Sequence, residues 1–186
     1  MRVSRKQVEE NRQTILEAAG RLFRERGFES VTVTDVMKAA GLTHGGFYGY
    51  FKSKDDLIAQ TLAGLQPEAA PGPVSLATIV ERYLSPEHRD DFGNGCAIAA
   101  LAPEVIRQSG GARSEMTAAL KHRLSRFVRV APGDDDADRR RAAIGSWSAM
   151  VGALILARMS DDPALSDEIL VETRAWLTEQ QGVSDT

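Results

Sequence analysis

Residues Thr43 to Leu57, THGGFYGYFKSKDDL, decide how the rest of the chain is read. Thr43 is placed to cap a short helix running to about Phe51, and Ser53 with Asp56 forms the capping pattern of the helix that follows. Phe47 and Phe51 stand four residues apart, the spacing of an apolar pair that holds a helix to a core. Gly45, Gly46 and Gly49 fall inside the same short helix, where each glycine costs about 0.8 to 1 kcal/mol relative to alanine. A compensating reason is needed, and close approach of the backbone to a large ligand supplies one.

Upstream, Ile15, Leu16, Ala19, Leu22 and Phe23 recur at helical spacing and Gly27 ends that helix. Thr32 and Asp35 form a capping box that opens a second helix, with Val33, Val36, Met37 and Ala40 on its apolar side. Gly41 then sits where a left-handed cap favours glycine. Two short helices joined by the Gly41-Leu42-Thr43 turn have the spacing of a helix-turn-helix, about residues 32–51.

Downstream, QPEAAPGP at Gln66 to Pro73 has three prolines and reads as a joint between two lobes. Helices are expected at Leu76 to Leu84, at Cys96 to Gln108, and around Met116 to Val128. Between the first two the chain reads as a loop with Pro86 and Gly93-Asn94-Gly95. The acidic run Asp134 to Asp138 suits the start of a helix reaching about Met159. Asp162 and Pro163 look like N-cap and first residue of a last helix. No segment alternates at period two, so the expected class is all-α with about nine helices.

Composition narrows the function. One cysteine, Cys96, permits no internal disulfide, and the polar N-terminus MRVSRKQVEEN lacks the apolar core of a signal peptide, so a cytoplasmic protein is expected. The uncharged run Ala142 to Ala157 is short for a membrane span and reads as a buried helix, so no membrane partner is expected. Net charge is −3, but it is unevenly spread. Residues 1–57 carry ten Lys and Arg against eight Asp and Glu, and the remainder thirteen against eighteen. The basic end is the end with the helix-turn-helix. There the glycines let a helix sit deep in the major groove, Tyr48 and Tyr50 offer hydroxyls to phosphates, and His44 reaches toward a base edge or a phosphate. Lys54, at the start of the next helix, favours an anion.

From about Arg12 to Leu65 the chain resembles the DNA-binding domain of the TetR family of bacterial transcriptional regulators. The resemblance is carried by Ile15, Ala18, Ala19, Leu22, Phe23, Gly27, Phe28, Thr32, Val33, Val36, Ala39-Ala40-Gly41-Leu42, Gly45, Phe47-Tyr48, Tyr50-Phe51, Ser53-Lys54 and Leu57. Gly46, His44 and Gly49 depart from the usual residues, which bears on the sequence read rather than on the mode of binding. The resemblance implies a three-helix DNA-binding domain at 9–65 and a helical ligand-binding and dimerisation domain at 75–186. It implies a homodimer on a near-palindromic double-stranded operator, with Thr43, His44, Gly45 and Gly46 facing bases and Thr32, Thr34, Tyr48, Tyr50 and Lys54 holding phosphates.

It also implies a ligand-responsive repressor, released by a small apolar or aromatic effector. Candidate pocket residues are Phe92, Cys96, Leu101, Met116, Leu120, Phe127, Trp147 and Met150, each of which also suits an ordinary core. Candidate dimer-interface residues are Val151, Leu154, Ile155, Ile169, Trp176 and Leu177. Three alternatives stay open: a regulator without a small-molecule ligand, a thiol-based electrophile or redox sensor through Cys96, and an enzyme using Cys96 with His88 and Asp90 or Asp91. The residues around that last set form no known nucleophile motif. No metal-ligand spacing or phosphate-binding loop appears, so no cofactor and no enzymatic activity are expected.

Overall fold

The computed structural model describes residues 4–64, 75–108 and 110–182, and these form nine α-helices, one 3-10 helix and no strand. In chain order they are α1 (Arg5–Ser30), α2 (Val33–Ala39), η1 (His44–Gly49), α3 (Lys54–Ala63), α4 (Leu76–Tyr83), α5 (Pro86–Asp90), α6 (Ala97–Arg107), α7 (Gly110–Val128), α8 (Asp136–Met159) and α9 (Pro163–Gly182). The expected joint at Gln66 to Pro73 lies outside the described residues.

Two compact units are present. The first holds α1, α2, η1, α3, α6 and α7 as far as Ala119; the second holds α4, α5, α7 from Leu120, α8 and α9. This division differs from a second lobe running unbroken from residue 75. Leu101 and Val105 of α6, with Ala112 and Met116 of α7, pack into the same core as Ile15, Phe23, Phe28, Val36, Met37, Phe47, Phe51, Leu57 and Leu62. The apolar side of α6 therefore completes the N-terminal core.

One local expectation holds and three are corrected. The regular helix of α1 is broken at Gly27, as expected, at φ 78° and ψ 170°, and a short helical turn follows as far as Ser30. Glycine alone adopts that geometry without strain. The helix expected from Thr43 to Phe51 is a 3-10 helix, closed by Gly46 N–H to Thr43 C=O and Tyr50 N–H to Phe47 C=O, and the Thr43 side chain makes no cap hydrogen bond. Three glycines leave it short of the propensity that sustains a regular α-turn. The loop around Pro86 contains α5, whose Ser85 hydroxyl accepts from His88 N–H with proline in the first turn.

The fourth concerns α8. It is long and apolar enough to cross a membrane by length and composition, yet it is buried on one side only, through Ala143, Trp147, Met150, Ala153, Leu154 and Ala157. Its other side exposes Ile144, Leu156 and Met159, and a Cβ added at Gly145 or Gly152 would meet nothing within 4 Å.

In the second unit α8 packs on α9, α4 on α9 and α5 on α8. Phe127, Trp147 and Tyr83 form an edge-to-face ladder with centroids 5.1 and 5.3 Å apart, and His88 meets Tyr83 at 4.6 Å. Arg158 ties α5 to α8 by donating to the carbonyls of His88 and Arg89, each at 2.9 Å.

Candidate nucleic-acid interface

The helix-turn-helix is built by local rules first. Thr32 Oγ1 accepts from Asp35 N–H while Asp35 Oδ2 accepts from Thr32 N–H at 2.9 Å, a complete capping box. The Thr32 hydroxyl also donates to Asp35 Oδ2 at 2.5 Å, and that bond foremost, followed by the one from the Thr32 N–H, holds the Asp35 carboxyl below the usual carboxylate range. At the other end of α2, Leu42 N–H reaches Met37 C=O at 2.9 Å and Gly41 N–H reaches Lys38 C=O at 3.1 Å. This is the paired closure of a Schellman motif, and Gly41 takes the left-handed φ of 70° that it requires. The turn thus delivers Thr43 at a set angle.

Packing then fixes η1. Phe47 and Phe51 are buried, their rings 5.7 Å apart, and Arg12 lies over the Phe51 ring. With that side anchored, η1 turns its remaining residues outward. Thr43, His44, Gly45, Tyr48 and Gly49 are exposed, Gly46 and Tyr50 are half-buried, and Tyr48 is 74% accessible while its ring meets Phe47 edge-on. A Cβ built on Gly45 or Gly49 would meet nothing within 4 Å, so nothing in the fold itself excludes a side chain there. At Gly46 the neighbours, Met37 and Tyr50, stand at ordinary contact distance.

The flanks of η1 carry the remaining expected contacts. Thr32 and Thr34 are exposed at the start of α2, and Lys54 is half-exposed as the first residue of α3. Ser53 Oγ caps α3 by accepting from Asp56 N–H, and Asp56 accepts from Lys52 N–H at 2.8 Å and from the Gln60 amide at 2.7 Å. The Lys52 N–H is the main reason the Asp56 carboxyl lies below its ordinary value. Gln60 in turn accepts from Arg12, so α1 and α3 share one polar network. All nine expected DNA-contacting residues belong to the first unit, and none of them is fully buried.

The expected pocket residues are more scattered. Leu101 and Met116 are core residues of the first unit, whose Cys96 is the N-cap of α6; Phe127, Trp147 and Met150 are buried in the second. Phe92 and Leu120 are exposed. A groove of about 570 Å³ in the second unit, lined by Ala77, Glu81, Val171, Arg174, Ala175, Thr178 and Glu179, includes none of them. Among the expected interface residues, Leu154 and Leu177 are buried inside the second unit, Val151, Ile155 and Ile169 are half-buried, and Trp176 is exposed. Of the residues offered for an enzyme, His88 Nδ1 is engaged with the Tyr83 carbonyl at 2.6 Å and the Asp90 carboxylate with Arg89. No cluster of three metal-ligating side chains occurs among the described residues.

Two polar residues escaped the sequence reading. Glu104 accepts from Phe28 N–H beside the Gly27 bend, and its signal was visible as the one acidic residue in the otherwise mostly apolar α6. Asn11 donates to the Tyr50 hydroxyl at 3.0 Å, a pairing that nothing local announces.

Comparison with known proteins matches this geometry to a family. Residues 15–61, the span of α1 through α3, match the family model described as bacterial regulatory proteins, tetR family. The regulator AcrR of Shigella flexneri is 41% identical over 59 residues, 32% of this chain and 27% of AcrR. Over that stretch the chain is similar to the TetR family. An HTH-type transcriptional regulator of Mycobacterium tuberculosis is 26% identical over 168 residues, spanning 81% of this chain and 86% of that protein. The likeness in fold extends past the helix-turn-helix: the crystal structure of reduced NemR from E. coli superposes with a TM-score of 0.72 at 19% identity, over 91% of this chain and 96% of NemR. The chain spans about a quarter of the length of AcrR.

Proposed function

We propose that this protein is a DNA-binding transcriptional repressor that acts as a homodimer on an inverted-repeat operator and is released by a small apolar or aromatic effector. The observation that carries the DNA-binding part is the anchored, outward-facing η1. Phe47 and Phe51 hold it in the core while Thr43, His44, Gly45 and Gly46 are offered to bases, and Thr32, Thr34, Tyr48, Tyr50 and Lys54 to phosphates. A groove reader with three glycines in its recognition helix relies heavily on backbone contacts, and two half-sites then multiply a weak single contact.

Dimerisation is supported by the apolar faces of α8 and α9. Ile144, Leu156 and Met159 line one, with Gly145, Ser148 and Gly152 allowing close approach; Leu165, Ile169 and Trp176 line the other. A second copy covers them in this reading, which also explains why so apolar a helix as α8 has an exposed side. The effector reading is supported by the TetR-family match over residues 15–61 and by the aromatic ladder of Tyr83, Trp147 and Phe127. Operator DNA acts inside the cell, so a cytoplasmic location follows from the same proposal.

The test is footprinting on the DNA upstream of the protein's own gene. Protection of an inverted repeat, at a stoichiometry of two chains per site, is expected; no protected site overturns the proposal. A thermal-shift screen with aromatic compounds tests release. A stabilising compound should also weaken operator binding, and stabilisers that leave it unchanged overturn the effector part.

A further inference from the structure

We infer that Asn11 is a positioning residue for the operator contact, acting through the hydroxyl of Tyr50. The inference rests on the DNA-binding reading and assigns a role to a residue of α1 outside the helix-turn-helix. Ser4 caps α1 by accepting from Gln7 N–H at 3.1 Å, so the first turns are set. Gln7 Nε2 then donates to Asn11 Oδ1 at 3.0 Å, and Asn11 Nδ2 donates to the Tyr50 hydroxyl at 3.0 Å. The relay runs in one direction, from α1 to the residue that ends η1.

Its polarity matters because a phenol has one proton and accepts on its oxygen, whereas an amide NH2 only donates. With the oxygen of Tyr50 already accepting from Asn11, the hydroxyl proton points elsewhere. Half-buried Tyr50 is flanked by exposed Gly49, where an added Cβ would meet nothing within 4 Å beyond its chain neighbours and the backbone of its own helix. A phosphate oxygen approaching that side is an acceptor and needs the proton facing it. Asn11 thus sets the donor before DNA arrives, so the cost of orienting it is met in the free protein. A purely structural tie between α1 and η1 would serve as well with either polarity, and this difference is what an experiment can read.

Affinity for a duplex carrying the footprinted repeat is measured for Asn11→Asp, Asn11→Ala and Tyr50→Phe, and for Asn11→Asp combined with Tyr50→Phe. Melting curves confirm that each variant is folded. A carboxylate at position 11 only accepts, so Tyr50 donates to it and the proton turns inward. Asn11→Asp is expected to weaken binding at least about tenfold and more than Asn11→Ala does. In the Tyr50→Phe background the same substitution retains only the repulsion of its added charge. Its effect there should shrink severalfold and fade as salt is raised. Equal losses for Asn11→Asp in both backgrounds, or a loss for Asn11→Ala as large as for Asn11→Asp, overturn the inference and leave the regulator reading intact. No binding by the unsubstituted protein overturns both.

Discussion

The backbone N–H of Phe28 donates to the side-chain carboxylate of Glu104, across 76 residues of chain, and that bond sits against the one bend in α1. Gly27 makes room for it, because a Cβ at that position would lie 2.1 Å from Glu104 Oε1. Gly27→Ala therefore meets two obstacles, a backbone angle closed to alanine and a displaced carboxylate. A loss of about 1–3 kcal/mol is expected in urea unfolding. Glu104→Gln keeps an acceptor and should cost clearly less than Glu104→Ala, which leaves a partly buried N–H without its partner.

Neighbouring aromatic residues of η1 should separate stability from binding. Phe47→Ala opens a cavity in the core and is expected to cost about 3–5 kcal/mol. Tyr48→Ala removes an exposed ring, and its stability should stay within about 1 kcal/mol of the unsubstituted protein while operator affinity falls at least about tenfold. Urea titration and gel-shift titration on the same preparations check the pair.

Lys54 should report itself through salt. A lysine that neutralises a phosphate releases a counterion, so Lys54→Ala is expected to weaken all DNA sequences alike and to flatten the log–log salt slope by about one for each protomer bound. Tyr48→Phe removes a neutral donor and should leave that slope unchanged. Equal slopes for Lys54→Ala and the unsubstituted protein would remove Lys54 from the phosphate set.

Acidification should weaken the protein in two windows. Burial, chiefly, holds the His88 ring below the ordinary histidine range, against the bond to the Tyr83 carbonyl and with help from Arg158. The unfolded chain then takes up that proton first, so the second unit's stability is full above about pH 6.5 and declines as the pH falls below it. Asp35 and Asp56 are likewise shifted downward, from a lower ordinary value, by the Thr32 cap and the Lys52 N–H. Their contribution is present above about pH 4 and is lost below it. Melting temperatures from pH 8 to 3 should show both declines, with the first absent in His88→Gln and the second reduced in Thr32→Ala.

Legibility followed the range of the interactions. Thr32 with Asp35, Gly41, Ser53 with Asp56, and Asp162 before Pro163 were readable because each cap closes within a few residues and its chemistry is local. Phe47 and Phe51 were readable from spacing alone. The 3-10 form of η1 was not, since three glycines leave the backbone to be shaped by how Phe47 and Phe51 are seated. Glu104 with Phe28 and Asn11 with Tyr50 were hidden because each joins helices far apart in the chain. The exposed side of α8 was hidden for a different reason: an apolar sequence states that a face will be covered, and not by which chain.

The open space beside Gly45 and Gly49 makes the head's reading surface rewritable. A Cβ added at either position meets nothing within 4 Å beyond its chain neighbours and the backbone of its own helix, and a glycine replaced there also raises helix propensity. Operator preference can then drift, or be redirected by a small library at positions 45 and 49, with the stability of the scaffold left where it was.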